Sequence, residues 1–424
     1  MSGTKLIAVL LAAGLLIAAC GDTEASPTET ITVFAPYRGR SAELFQASLK
    51  SFADDNNVQI RYTGTSDFVN DLRSRVGEAN PPDIAVVPQP GVIRQFWEDG
   101  RLVPLQPVAV AAVEENYSEE SRELGKIDGV PVGVLYRANV KSLVWYRPSV
   151  FAERGYSVPG TLDELKQLSA RIAADGLAPW CITIQARGAT GWVATDWVED
   201  LLVRTSGAEL YSSWVNGEVQ FSAPAVAQVF DEFAALALVQ GRPYGGLERV
   251  LRTSVDKAQD PMFNSPPDCV MHRQASFAAG WLPGGVSYGD PDSDLDIFVL
   301  PGAQAGEPAP LLVGGDHAIA FTDRPIVHEL LAFMATTESS EVWSAEGAYF
   351  SPRTSLHADS HRNPLEQLLG ELMANAETIV FDGSDQMDPD FSTDLFWPLI
   401  TAWVAGDISY DELARQLDEA RELN

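Results

Sequence analysis

Three tryptophans and an aspartate carry the most suggestive chemistry in this chain. Gly191-Trp192-Val-Ala-Thr-Asp196-Trp197-Val-Glu-Asp-Leu-Leu-Val-Arg204 places two indoles and a carboxylate in the first turns of a helix, and Trp281 follows Gly280. Late in the chain, Leu395-Phe-Trp397-Pro adds a fourth indole. An indole face stacks on the C–H face of a polyhydroxylated ring, while carboxylates, amides and guanidinium groups bond to its hydroxyl edge. The competing reading for any single tryptophan is core packing. Five residues separate Trp192 from Trp197, about 140° around a helix, so one narrow face cannot hold both. Val198, Leu201 and Leu202 already form a packing stripe. Trp192, beside Gly191 at the open helix start, is assigned to a cleft, and Trp197 is left between site and core.

Catalytic patterns are missing. The chain has no GxSxG elbow, P-loop, HExxH or dinucleotide glycine fingerprint. Its five histidines make no ligand spacing, and 59 acids allow too many carboxylate pairs to nominate one for glycoside hydrolysis. Asp290-Pro-Asp-Ser-Asp-Leu-Asp296 resembles a calcium loop only superficially. Leu295 and Pro301 stand where an EF-hand needs Gly and Glu, so it reads as a solvated acidic turn. No metal or cofactor is expected.

Composition restricts the partners. A net charge of −30 excludes nucleic acid and weighs against a polyanionic ligand. Lys5 and the apolar run Leu6–Ala19 have the form of an export signal, residues 1–19. The signal ends Ile17-Ala18-Ala19-Cys20, which resembles the lipobox of bacterial lipoproteins. This implies lipid on Cys20, a membrane anchor, and a polar tether over residues 20–30. The alternative is an uncleaved anchor. Export makes Cys181 and Cys269 a candidate disulfide closing 88 residues, with two buried free thiols as the second reading.

The elements that must position these groups alternate in type. Ile31–Phe34, Val58–Tyr62 and Pro82–Val87 read as strands, and apolar residues at helical spacing lie between them. Such alternation predicts an α/β fold with a parallel sheet, whose ligands sit beyond the carboxyl ends of the strands. The loops there hold Tyr37, Arg38, Asp67 and Gln89, while Asp83 reads as a strand cap. The central stretch, Val130–Ile172, starts as near-continuous apolar strand, broken at Arg137-Ala138-Asn139. It ends in a helix with the capping box Thr161-Leu-Asp-Glu164. Gly314-Gly315-Asp316 reads as a tight turn between the strands Ile297–Leu300 and Ala318–Phe321. Ser409–Glu412 caps the last helix.

Ser142–Phe151 (SLVWYRPSVF) followed by Pro159–Leu168 (PGTLDELKQL) resembles the first inter-lobe crossover of family 1 extracellular sugar-binding proteins, the capture subunits of bacterial ABC importers. Gly191-Trp192…Thr195-Asp196-Trp197…Glu199-Asp200 and Cys269…His272–Phe277…Gly280 resemble the α-glucoside-type branch, in which both segments face the sugar. Phe396-Trp397 resembles the helix that brings a stacking aromatic to the cleft in maltose-type relatives. The resemblance implies a two-lobed periplasmic-binding-protein-like fold of type II, with discontinuous lobes joined by hinge strands. Residues 31–137 with 300–337 would form one lobe and 138–299 with 338–424 the other. It also implies a monomer that binds a carbohydrate without turnover and hands it to importer permease subunits. The expected contacts are Tyr37, Arg38, Asp67, Gln89, Trp192, Asp196, Trp197, Trp281, Asp316, Arg353 and Trp397. Arg137-Ala-Asn139 and the Asp290–Asp296 insert depart from the family pattern. A ligand-sensing lipoprotein without transport and an extracellular glycosidase are the alternatives.

Overall fold

The computed structural model of the chain describes residues 29–288, 293–346, 349–353 and 364–423. The expected signal peptide, Cys20, and the start of the Asp290–Asp296 turn lie outside the described residues. Within these bounds no helix is long and apolar enough to cross a membrane.

The first quarter of the chain is wound as its pattern predicts. β1 (Glu29–Ala35) leads to α1 (Gly39–Ser48) and α2 (Lys50–Asp55), then β2 (Val58–Gly64), α3 (Phe68–Gly77), β3 (Ile84–Val87) and α4 (Pro90–Glu98). The last two tether residues, Glu29 and Thr30, already belong to β1. β1 runs parallel to β2 in the register Glu29↔Val58 and to β3 in the register Val33↔Ile84. β3 is apolar throughout because it is buried on both faces. Asp83 ties the strand ends together: its Oδ2 accepts from the Thr32 amide and hydroxyl, both at 2.8 Å, and its Oδ1 from Arg324 at 3.0 Å.

Beyond a small hairpin, β4 (Lys126–Ile127) and β5 (Val130–Pro131), the chain enters β6 (Gly133–Val140) and β7 (Leu143–Tyr146). β7 belongs to a second sheet, order β10-β7-β9-β8, with β8 (Ala178–Trp180), β9 (Cys269–Arg273) and β10 (Asp296–Val299). β11 (Leu311–Ala320) and β12 (Ile379–Phe381) complete the first sheet. β11 pairs antiparallel with β3 and β6, and β12 parallel with β11.

Three expectations are corrected here. Arg137-Ala138-Asn139 does not break the strand; β6 continues to Val140, and the change of sheet falls at Lys141-Ser142. Polar residues are tolerated inside β6 because the register sets Arg137 opposite Asp316. Gly314-Gly315-Asp316 is not a turn but the middle of β11, buried along its whole length. Those glycines permit close approach, since a Cβ at Gly315 would meet Leu135 Cδ1 at 2.5 Å and one at Gly314 would meet Lys141 Cε at 2.9 Å. Finally, the helix Glu338–Ser344, assigned to the second lobe from sequence, packs on α1 with Trp343 in the core of the first.

The two passages between the sheets lie side by side. The Lys141 amide donates to Leu312 O at 2.7 Å, and the Leu300 amide to Ser142 O at 2.8 Å. Ser142 Oγ accepts from the Leu312 amide at 2.8 Å and donates to Asp200 at 2.7 Å. Cys181 and Cys269, beside the parallel neighbours β8 and β9, form a disulfide with Cα atoms 5.5 Å apart. Only the hydroxyl half of each capping box forms as read: Thr161 Oγ1 accepts from the Glu164 amide at 3.1 Å and Ser409 Oγ from the Glu412 amide at 3.2 Å. The Glu164 carboxylate reaches the Gly160 amide rather than that of Thr161.

A candidate ligand-binding cleft between the two sheets

A cleft of about 520 Å³ opens where the two sheets face each other. One wall comes from the loops after β1, β2 and β3, which share an edge because these strands are parallel. The other comes from the start of the long helix Trp192–Val215 and the turns Arg187–Ala189, Val255–Lys257 and Ser276–Trp281. Arg137, Asn139 and Lys141 line it together with the Gly314–Asp316 segment of β11.

Eight of the sequence-nominated residues line this space: Tyr37, Arg38, Asp67, Gln89, Trp192, Trp281, Asp316 and Trp397. Asp196, Trp197 and Arg353 do not. Trp197 is fully buried, edge-on to Trp180 at 5.0 Å and stacked on Phe233 at 5.4 Å. Its turn around the helix carries it onto the face of Val198, Leu201 and Leu202. Arg353 is buried and donates to Ala335 O at 2.9 Å, to the Tyr349 hydroxyl at 2.7 Å and to Met334 O. It anchors its own segment to the end of the helix Pro325–Met334. Asp196 lies one layer back, fully buried, and acts through Lys141.

Two charge clusters stiffen the floor. Asp316 Oδ2 accepts from the Tyr37 hydroxyl and from Arg137 Nε, each at 2.7 Å. The Arg137 guanidinium lies over the Tyr37 and Trp343 rings at 4.8 and 4.9 Å. Burial, and then the charge of Asp316, push the Tyr37 hydroxyl well above its ordinary pKa and keep it a donor. In the second cluster Lys141 Nζ reaches Asp196 at 3.2 Å, Asp385 at 3.4 Å, and Asp382. Burial opposes its charge, but the three carboxylates outweigh that and hold the ammonium firmly protonated. Asp385 is pushed up to about 7 by burial and by the neighbouring Asp382 charge. Glu199 fixes the turn that presents Asp385, accepting from the Gly383 amide at 2.6 Å and the Ser384 amide at 3.0 Å.

The apolar wall is aromatic. Trp192, half-buried at the helix start, packs on Phe277 with centroids 5.9 Å apart, and Phe277 on Trp281 at 5.1 Å. Lys141 Nζ lies 5.7 Å from the centroid of the Trp192 ring. Gly191 makes this placement possible. Its φ is +116°, and a Cβ there would stand 2.5 Å from Trp397 O. Trp281 itself sits on the 3-10 turn Ser276–Trp281, not at a strand end, and its carbonyl accepts from Gln259 at 2.9 Å. At the mouth, Arg187 Nη1 donates to Ser66 Oγ at 3.0 Å, and the Gly188 backbone lies against the Asp67 carboxylate.

Sequence reasoning missed Arg137, Lys141, Phe277, Arg187 and Asp385. Arg137 and Lys141 are visible in the sequence as isolated cations inside the apolar stretch Val130–Trp145, which is the one signal the chain offers for them.

The chain matches the family described as bacterial extracellular solute-binding protein over residues 38–341. It is 36% identical to the alpha-glucosides-binding periplasmic protein AglE of Rhizobium meliloti over 396 residues, 91% of this chain and 86% of that one. To the osmoprotective compounds-binding protein GgtB of Synechocystis it is 35% identical over 377 residues, 89% of each chain. Its fold superposes on a solved chitin oligosaccharide binding protein with a TM-score of 0.78 at 17% identity, covering 93% of this chain and 98% of that one.

Proposed function

The chain belongs to the bacterial extracellular solute-binding proteins, and from that premise we propose that it captures an oligosaccharide or α-glucoside in the inter-sheet cleft and delivers it to an ABC importer. The observation that carries this reading is the pairing of wall and floor. An aromatic series, Trp192–Phe277–Trp281, faces fixed polar groups, Asp316, Asp67 and Asp385. That is the two-sided chemistry a pyranose requires, with an apolar ring face and a hydroxyl rim. Both bonds to Asp316 use Oδ2, so Oδ1 is left to accept from a hydroxyl.

The two sheets with their helices act as lobes hinged at Lys141-Ser142 and at the neighbouring β10–β11 passage. Ligand contact from both sides favours closure, since few strands join the lobes. The protein works as a monomer tethered by lipid on Cys20. Detergent-phase partitioning of a Cys20→Ala chain tests the anchor, and a drop in radius of gyration on ligand addition tests closure.

A thermal-shift and calorimetric panel of α-glucosides and malto-oligosaccharides tests the main claim. A ligand at 100 times its Kd adds about 2.7 kcal/mol to unfolding stability. Stabilisation by at least one intact glycoside, recovered unhydrolysed, is expected. Hydrolysis of the stabilising sugar, or binding only of non-carbohydrate solutes, overturns it.

A further inference from the structure

We propose that Arg73, which lies outside the cleft, is a positioning residue for ligand capture: with Asp390 and Asp394 it latches the two lobes in the closed form, and Gly91 on the neighbouring helix sets how far they close. This rests on the two-lobed capture reading above and adds the residues that hold the closed state.

The partners belong to opposite lobes. Arg73 sits on α3 and Gly91 on α4, and these helices pack through Leu72, Val76, Val92 and Phe96 against Phe34 and Val87 of the first sheet. Asp390 and Asp394 sit on the consecutive turns Pro389–Phe391 and Ser392–Phe396. Phe391 and Phe396 of these turns are buried in the core of the second lobe together with Trp197 and Leu201. The chain reaches those turns from β12 of the first sheet, so a third passage between the lobes runs through Asp382–Met387.

The contact follows one flank of the cleft. Beside the third passage, Gly91 is buried where a Cβ would stand 1.9 Å from Met387 O and 3.2 Å from Gln386 O. No side chain fits there, so the lobes meet backbone to backbone. Further along, the Arg73 guanidinium spans two carboxylates, with Nη1 donating to Asp394 at 2.8 Å and Nη2 to Asp390. Gln95 Nε2 reaches Asp390 at 3.4 Å, and the Asp390 amide donates to Asp388 Oδ1 at 2.8 Å. At the mouth, Arg187 of the second lobe meets Ser66 of the first.

The same elements touch the ligand space. Asn70, one turn before Arg73 on α3, lines the cleft, and so does Thr393, which lies between the two carboxylates in sequence. A movement that brings Asn70 and Thr393 onto a ligand therefore also brings Arg73 onto Asp390 and Asp394. Arg73 does not line the cleft itself and acts on the ligand only through this closure. Side-chain exposures of 23% for Arg73, 66% for Asp390 and 46% for Asp394 keep the latch weak, because water screens exposed charges. Weakness suits a protein that must also open: the latch slows release without preventing it.

Stopped-flow mixing and calorimetry with maltose, maltotriose, trehalose and sucrose test this. Arg73→Gln should raise the dissociation rate of each sugar that binds by about two- to fivefold, the scale of an exposed ion pair, and leave its association rate unchanged. The ligand-free urea midpoint should stay at the wild-type value, because the pair forms on closure. Asp390→Asn/Asp394→Asn should weaken affinity by the same factor, and all three changes together by no more, as one shared interaction requires. At about 1 M salt, where the Debye length is about 3 Å, wild type and Arg73→Gln should converge. Gly91→Ala should leave the sugar-bound radius of gyration larger than in wild type, and an unchanged radius overturns the role of Gly91. A wild-type dissociation rate in Arg73→Gln, or a lowered urea midpoint with affinity unchanged, overturns the latch and leaves the glycoside reading standing. Failure of all four sugars to bind the wild-type protein, with the wider α-glucoside panel also failing, overturns the two together.

Discussion

Replacing Trp192 and Trp197 separately by alanine asks whether five residues of helix divide a binding residue from a core residue. Trp197 is fully buried, and a tryptophan removes roughly 200 Å² from water, about 5 kcal/mol at 25 cal/mol per Å². Its contacts with Trp180 and Phe233 add to this, while relaxation around the cavity subtracts, so Trp197→Ala should lower unfolding stability by about 3 to 5 kcal/mol. Trp192 is half-buried and has the cleft on one side, so its removal should lower stability by only about 1 to 2 kcal/mol. For binding the order reverses: Trp192→Ala should weaken sugar affinity at least about tenfold, or 1.4 kcal/mol. Urea unfolding of the ligand-free protein reads the first quantity and calorimetry the second. Wild-type affinity in Trp192→Ala, or full stability in Trp197→Ala, would refute the assignment of the two faces.

Lys141→Met leaves three buried carboxylates facing one another and should destabilise the fold by about 3 to 5 kcal/mol; an unchanged urea midpoint would show that the cluster is not held by the ammonium. Gly188→Ala places a Cβ 1.8 Å from Asp67 Oδ1 across the mouth. It should weaken ligand affinity without lowering stability, and calorimetry in an Asp67→Ala background should show no further effect of the change at 188. Burial depresses His272 and His317 to about 4, against about 6.5 in the unfolded chain, so their stabilising contribution is complete above 6.5 and lost as pH falls toward 4. His317→Asn should therefore flatten the acid limb of stability against pH relative to wild type, and parallel limbs would contradict this. Reducing the Cys181–Cys269 bridge, which spans 88 residues, should lower stability by about 4 to 5 kcal/mol, read from urea curves with and without reductant.

Much of the architecture is local and was legible. The alternation of period-2 and period-3.6 segments fixed β1 to α4, and the capping boxes at Thr161 and Ser409 marked helix starts, because these signals are set by neighbours a few residues apart. Cysteine arithmetic in an exported chain pointed to the one bridge. The loops bearing Tyr37, Arg38, Asp67 and Gln89 followed from the rule for parallel sheets, and Trp192 from its place beside Gly191.

Where polarity and burial conflict, local pattern misled. Arg137 looked like a strand break because a charge in an apolar run is costly unless paired, and its partner, Asp316, is 179 residues away. Lys141 is in the same position, since the carboxylate of Asp382 lies 241 residues further on. Gly314-Gly315 looked like a turn because sequence shows a missing side chain but not what would collide with one. The helical wheel separated Trp192 from Trp197, yet only packing against Trp180 and Phe233 decided that Trp197 belongs to the core. By itself, then, the sequence determined the order and type of the elements, the bridge and the loops at the cleft. Tertiary structure decided which charges could be buried and which aromatics stayed open, since both depend on groups that only folding brings within a few ångströms.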